Sequence, residues 1–274
     1  MESTCLRAIR GLTPPDSLFL QELRNSIQSR MDPTSPPVRR ADAYALAAAM
    51  IFPALLTWVY FLVLNDRPAA IQQTVYGLGK CLQFGFPLVW VLAVRRQTLR
   101  WPAACRLGLA EGAAFGLLIF AAILGVYFLW LAPTGWLAGA ATPIYQRISH
   151  FGVAGPTAFV VMGLFYCALH SLLEEYYWRW FVFGRLRQFL PVPAAILLAS
   201  AAFASHHAIV LGTYFGPLSP LTGLFTVAVG VGGAVWCHIY HRSGSLLGPW
   251  LSHALVDAAI FAVGYALVRG AAGW

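Results

Sequence analysis

The stretch "HSLLEEYYWRWFVFGRL", residues 170–186, sets two adjacent carboxylates and an arginine inside a run of Leu, Tyr, Trp and Phe. The rest of the chain says what solvent this run faces. Of 274 residues, 59% are hydrophobic and 10% are charged, whereas a soluble domain carries about 25% charged residues. Too few charges remain to cover a water-facing surface. The alternative solvent is lipid, in which a spanning helix needs ~20 mainly apolar residues. An open sheet would leave backbone groups unpaired there, and a barrel would show short alternating strands instead of long apolar runs. The composition therefore predicts an all-α, polytopic transmembrane helical bundle of seven to eight spans.

The net charge of +8 is almost entirely arginine, because Lys80 is the single lysine. The arginines form no continuous patch, so nucleic acid is not an expected partner. They sit at the ends of apolar runs, which is the positive-inside pattern. Cys5, Cys81, Cys105, Cys167 and Cys237 are scattered with no CxxC pair. Such spacing argues against a disulfide framework or a thiolate metal site.

Residues 1–38 differ from residues 39–274. They hold the proline-broken "TPPDS" and "DPTSPPVRR", with Leu20, Leu23 and Ile27 at helical spacing between them. The reading is a cytoplasmic segment with an amphipathic surface helix, or an unmade leader if Met31 is the start. No secretory signal is expected, since the first long apolar run lies far in and is too long. Spans are expected near residues 43–64, 75–94, 107–131, 157–173, 192–210, 221–240 and 246–268. Residues 174–190 either extend the fourth span or form a separate interfacial helix. Residues 132–156 look extramembrane. With alternating spans, Arg39, Arg40, Arg95, Arg96, Arg100, Arg106, Arg179, Arg185, Arg187 and Arg242 share one side. That side is then cytoplasmic, and the N-terminus with it.

Ionisable groups inside spans cost several kcal/mol and are functional candidates by default. Glu175 and Arg179 are i,i+4 and share a helix face as an ion pair. Glu174 points about 100° away, free of that partner and able to exchange a proton. His253 and Asp257 are also i,i+4, so Asp257 can orient the His253 ring. Phe203 and His207 have the same spacing, with His206 as the expected spectator. His170, one turn before Glu174, is a candidate supporting partner. Lys80 and Glu111 are read as pairing between spans or snorkelling. Depth strains this picture: at ~1.5 Å per residue His207 lies ~20 Å inside its span, with His253 and Glu174 shallower.

Two chemistries fit. In one, Glu174 and His207 polarise a water that attacks a carbonyl, while His253 and Asp257 steady the oxyanion. In the other, Glu174, His207, His253 and Asp257 hold Zn²⁺, which activates the water. Buried Glu, His and Asp also mark proton relays, so a proton-coupled transporter is a further reading. A non-enzymatic membrane scaffold or immunity protein is another.

Three motifs, "EEYYWR" (Glu174, Glu175, Arg179), "FASHH" (Phe203, His207) and "HALVD" (His253, Asp257), occur in that order. Together they resemble the CAAX prenyl protease and bacteriocin-processing (CPBP, or Abi) family of intramembrane proteases, over about residues 156–262. The resemblance implies a roughly eight-span fold with a cytoplasm-facing cavity and cleavage near that membrane face. It also implies a glutamate-dependent mechanism requiring no cofactor, with Glu174 as base beside His207 and with His253 and Asp257 in the oxyanion position. Zn²⁺ is the alternative. The third motif ends in Asp where many members have Asn. Asn can donate to an oxyanion and ionised Asp cannot. Asp257 must then be protonated, orient His253 or bind metal. The implied partners are the lipid bilayer and a peptide or protein substrate, with a lipidated or membrane-anchored C-terminus or a leader peptide as options. The implied location is a bacterial inner membrane.

Overall fold

Long apolar runs punctuated by proline and glycine become long helices. The computed structural model describes residues 36–98, 106–150, 152–153 and 155–274. The expected amphipathic helix around Leu20, Leu23 and Ile27, the alternative start at Met31, and Arg100, Cys5 and Cys105 lie outside the described residues. Among the described residues there is no strand.

Seven helices are long and apolar enough to cross a membrane: α1 (Arg39–Val63), α2 (Ala69–Val94), α3 (Gly108–Thr134), α5 (Pro156–Leu186), α6 (Val192–Phe215), α7 (Pro220–Ser243) and α8 (Leu247–Ala272). The eighth, α4 (Ala138–His150), is shorter and lies in the segment expected to be extramembrane. Local chemistry sets the ends. Pro156 and Pro220 open α5 and α7 where the missing N–H costs nothing. The Ser219 hydroxyl accepts from the Leu221 amide at 3.2 Å. Gly244, at φ 65°, closes α7 in the left-handed conformation that glycine adopts without strain.

By compactness the chain divides after Ala47. The first unit contributes the start of α1. The second, from Ala48 on, contains the features described below. Its polarity is inverted relative to a soluble domain: Leu78, Leu129 and Leu197 are exposed, while Glu175, Arg179 and Ser252 are fully buried. Backbone groups are satisfied within helices, as a hydrocarbon solvent requires.

The span expected at residues 157–173 continues without a break to Leu186. Helix α5 is 31 residues long, about 46 Å at the α-helical rise, well beyond the ~30 Å hydrocarbon core. Glu174 and Glu175 are therefore embedded in it rather than placed at its end. On both sides of them the turns widen to i→i+5 bonding, at Tyr166–His170 and Tyr176–Phe183. In the second wide stretch Tyr177, Trp178, Arg179, Phe181, Val182 and Phe183 are all buried. Wide turns of this kind are rare and concentrate at functional sites.

Two helix pairs pack most extensively, α3 with α8 and α6 with α7. The first is a glycine seam. A Cβ on Gly112 would run into the Gly248 carbonyl, one on Gly248 into the Gly108 carbonyl, and one on Gly116 would lie 2.9 Å from Ser252 Cα. Small residues at four-residue intervals let two backbones touch, the usual basis of helix association in lipid. At the opposite end from the arginine cluster, Arg147 of α4 donates to Gln72 Oε1 at 2.9 Å and to Asn65 Oδ1 at 3.0 Å. Those bonds tie α4 to the α1–α2 turn.

Candidate active site

Helices α5, α6 and α8 bring their motif residues together. Glu174 and Glu175 leave α5 in different directions, as adjacent helical residues must, and each finds imidazole. Glu175 Oε1 lies 3.0 Å from Arg179 Nη1 and 2.7 Å from His253 Nδ1. One carboxylate oxygen thus serves both the expected i,i+4 pair and a histidine from a distant helix. The Arg179 guanidinium lies between two aromatic faces, 4.6 Å from the Phe203 ring centre and 4.9 Å from that of Trp236. A buried arginine is tolerated here because a carboxylate and two ring quadrupoles face it.

Glu174 is not the partner-free acid that the helical wheel suggests. Its Oε1 lies 3.6 Å from His206 Nε2 and its Oε2 3.7 Å from His253 Nε2. Both gaps exceed a direct hydrogen bond of about 2.7–3.2 Å, so the carboxylate faces two imidazoles without being closed on either. Glu174, His206 and His253 are all buried.

The histidine next to Glu174 is therefore His206, the expected spectator. His207 Nδ1 donates to the Phe203 carbonyl of its own helix at 3.0 Å. Its ring packs 4.7 Å from Phe203 and 4.1 Å from His206. The FxxxH spacing selects His207 by its relation to Phe203, and that relation is present. Spacing alone does not fix which imidazole turns toward α5.

His253 is held on three sides. Its ring stacks on Trp236 at 4.2 Å and 17°. The Trp236 indole in turn donates to Ser252 Oγ at 2.9 Å. Glu175 takes Nδ1, which leaves Nε2 facing Glu174 and, at 3.7 Å, Asp257 Oδ1. The group orienting the ring through Nδ1 is thus Glu175. Asp257, expected in that role, sits on the other nitrogen, on the more open side of the site. His206 is steadied similarly by Trp178, parallel to within 2° at 5.7 Å.

Helix α2 walls the remaining side. Phe84 meets the edges of His170 at 6.0 Å and Tyr177 at 6.2 Å. Lys80 lies over the Tyr76 and Phe84 rings at 5.5 and 5.4 Å. His170 packs on Tyr166 at 4.8 Å, so its contacts here are aromatic. Glu111 pairs with Arg242 at 3.1 Å rather than with Lys80. The sequence reading missed Trp178 and Trp236. Trp178 had a usable signal, since it follows Glu174 by four residues on a helix.

Among the described residues, no three His, Cys, Asp or Glu side chains form a group that could hold a metal ion. His207 donates through Nδ1 to its own helix, which leaves Nε2 as its second ring nitrogen.

The depth difference between Glu174 and the histidines of α6 is removed by the length of α5. Glu174 lies 12 residues before its end at Leu186, about 18 Å in, and His206 lies 14 residues into α6, about 21 Å in. The two reach the same level.

Residues 156–259 match the family model described as Rce1-like, type II CAAX prenyl endopeptidase. The match contains all three motifs. No curated protein and no solved structure matches the chain. With seven membrane-length helices, the match points to an integral membrane protein with intramembrane endopeptidase activity on a peptide or protein substrate. Over α5 to α8 the chain is similar to the Rce1-like domain of the type II CAAX prenyl endopeptidases, in keeping with the CPBP resemblance.

Proposed function

We propose that this protein hydrolyses a peptide bond inside the membrane, near its cytoplasmic face, with Glu174 as general base. The observation that carries this reading is the buried Glu174 carboxylate standing 3.6 and 3.7 Å from two imidazoles contributed by other helices. A water hydrogen-bonded to this carboxylate beside the imidazoles gives it a proton as the water oxygen attacks the scissile carbonyl. His206, with His207 against it, holds the water on the α6 side. His253, fixed through Nδ1 by Glu175, presents Nε2 to the opposite side. As an imidazolium held through Nδ1 by Glu175, its Nε2–H donates to the oxyanion. Asp257 Oδ1, 3.7 Å from the same Nε2, adds a second donor there when protonated. After collapse of the intermediate, the proton on Glu174 passes to the leaving amine.

The arginine-rich helix ends support a cytoplasmic N-terminus and a site mouth on that side by the positive-inside rule. A bacterial inner membrane is the proposed setting. The substrate is a peptide segment that reaches the bilayer, through a lipidated or membrane-anchored C-terminus or as a leader.

The test is to express the Glu174→Gln variant in place of the native chain, capture what stays bound and identify it by mass spectrometry. The expected result is a peptide or protein that wild type cleaves and the variant only binds. Full activity after exhaustive chelation would favour the metal-free route, and loss restored by Zn²⁺ would favour the other. A captured substrate turned over equally by both proteins would remove Glu174 from the chemistry. Biological effect retained in the variant would favour the scaffold reading.

A further inference from the structure

The far end of α5 borders a cavity that the proposed chemistry does not use. It encloses about 620 Å³ at the arginine-rich side, between the end of α2, the end of α5 and Tyr240 of α7. Val91 and Phe181 form apolar wall, and Arg96, Gln97, Arg185 and Arg187 supply donors. Among the described residues, the cavity lining includes no acidic side chain.

Two of these cations, Arg96 and Arg187, have no carboxylate partner among the described residues. Arg187 Nη1 donates to His241 Nδ1 at 3.0 Å, and its guanidinium lies 5.3 Å from the Phe183 ring centre. Neither partner carries negative charge. Among the described residues, no carboxylate lies within ion-pair distance of Arg96 or Arg187. Arg185 is buried and donates to Gln97 Oε1 at 2.7 Å, which pins the end of α2 to α5 across the cavity floor. A volume of this size accommodates a headgroup-sized ligand. Planar guanidinium groups suit phosphate oxygens in particular. Val91 of the cavity wall shares the end of α2 with Leu88, Leu92 and Val94, which are exposed. A phosphate in the cavity would therefore have a path for attached acyl chains.

We infer that this cavity binds the phosphate of an anionic phospholipid, with Arg96 and Arg187 as its charge partners and the acyl chains lying along the end of α2. The site is separate from the carboxylate–imidazole cluster, and the inference does not depend on the peptidase reading. Basic pockets between helix ends commonly take anionic headgroups.

The experiment uses the full chain in phosphatidylcholine nanodiscs, with phosphatidylglycerol titrated in and bound lipid counted by native mass spectrometry. Wild type should bind phosphatidylglycerol in preference to phosphatidylcholine. At roughly 1 kcal/mol per arginine, about fivefold in affinity, the Arg96→Gln/Arg187→Gln double variant should bind about 25-fold more weakly. The corresponding double lysine variant should keep most of the affinity, and Arg269→Gln, at the other membrane face, should keep all of it. Should the double glutamine variant not fold, each single variant carries the same test at about fivefold. Equal binding by wild type and the glutamine variants would overturn the inference, as would no preference over phosphatidylcholine. Equal stabilisation by inorganic phosphate alone would overturn the lipid assignment.

Discussion

The two faces of α8 hold it by opposite means. Toward α3, Gly248 and Ser252 meet Gly108, Gly112 and Gly116 with backbone against backbone. Toward α5 and α7, His253 and Asp257 meet carboxylates and an indole. Lipid supplies no hydrophobic drive between helices, so close packing and polar contacts must do the work. Ser252 joins the faces: its Cα lies under Gly116 and its hydroxyl accepts from Trp236. The charged face can be exact in position because the glycine face leaves α8 no room to slide. One face should govern chemistry and the other stability, and substitutions on each test that division.

The largest effect on chemistry should come from Glu174→Gln. The substitution keeps the shape and removes the base, so turnover should fall about 10²–10⁴-fold. Since Glu174 meets the imidazoles of His206 and His253 at 3.6 and 3.7 Å, beyond direct hydrogen-bond distance, the thermal midpoint in detergent should move little. A variant that unfolds instead would mean that Glu174 is structural.

Glu175→Gln should blur the division, because Glu175 holds both Arg179 and His253. It leaves a buried arginine uncompensated, a loss of about 3–5 kcal/mol in comparable buried pairs. It also frees the ring that presents Nε2 to the site. Stability and activity should fall together, which a melting curve and an activity assay on the same preparation would show. Loss of activity at unchanged stability would place Glu175 in the reaction instead.

Gly112→Leu attacks only the seam. Its side chain collides with the Gly248 backbone, and overpacking of this kind costs about 1–3 kcal/mol. The fraction still folded should show lower activity, through displacement of His253, with substrate affinity changed less than turnover. Full stability in this variant would show that the helices can separate freely, and the seam would lose its positioning role.

Much of this arrangement was legible in the residues. Low charge and long apolar runs gave the helical membrane fold, and the spacing of Glu175 with Arg179 and of Phe203 with His207 gave their contacts. The seam was written as glycines at 108, 112 and 116, a small-residue period that a reading focused on ionisable groups passed over. Other features were not legible. Whether α5 ends at Leu173 or continues depends on neighbours that can shelter Glu174 and Glu175. The wide turns at Tyr166–His170 and Tyr176–Phe183 break the regular 100° wheel. The capture of His253 Nδ1 by Glu175 rather than Asp257 joins residues 78 apart in sequence, which no local spacing can reveal.

The finest comparison lies between neighbours on α6. Motif spacing puts His207 in the FxxxH position, whereas geometry puts His206 Nε2 beside Glu174 and bonds His207 to its own helix. Asparagine at either position keeps a hydrogen-bonding group and a similar volume, so folding should survive both changes. If His206 holds the water, His206→Asn should lower turnover about tenfold or more with little change in substrate affinity. His207→Asn should then cost only a few-fold, through looser packing of the His206 ring it touches at 4.1 Å. The reverse ranking would mean that α6 rotates when substrate enters, bringing His207 to Glu174. That outcome would turn the wide turns of α5 from a static distortion into the place where such a movement is absorbed, because extra residues in a helical turn can be passed along without breaking the backbone ladder.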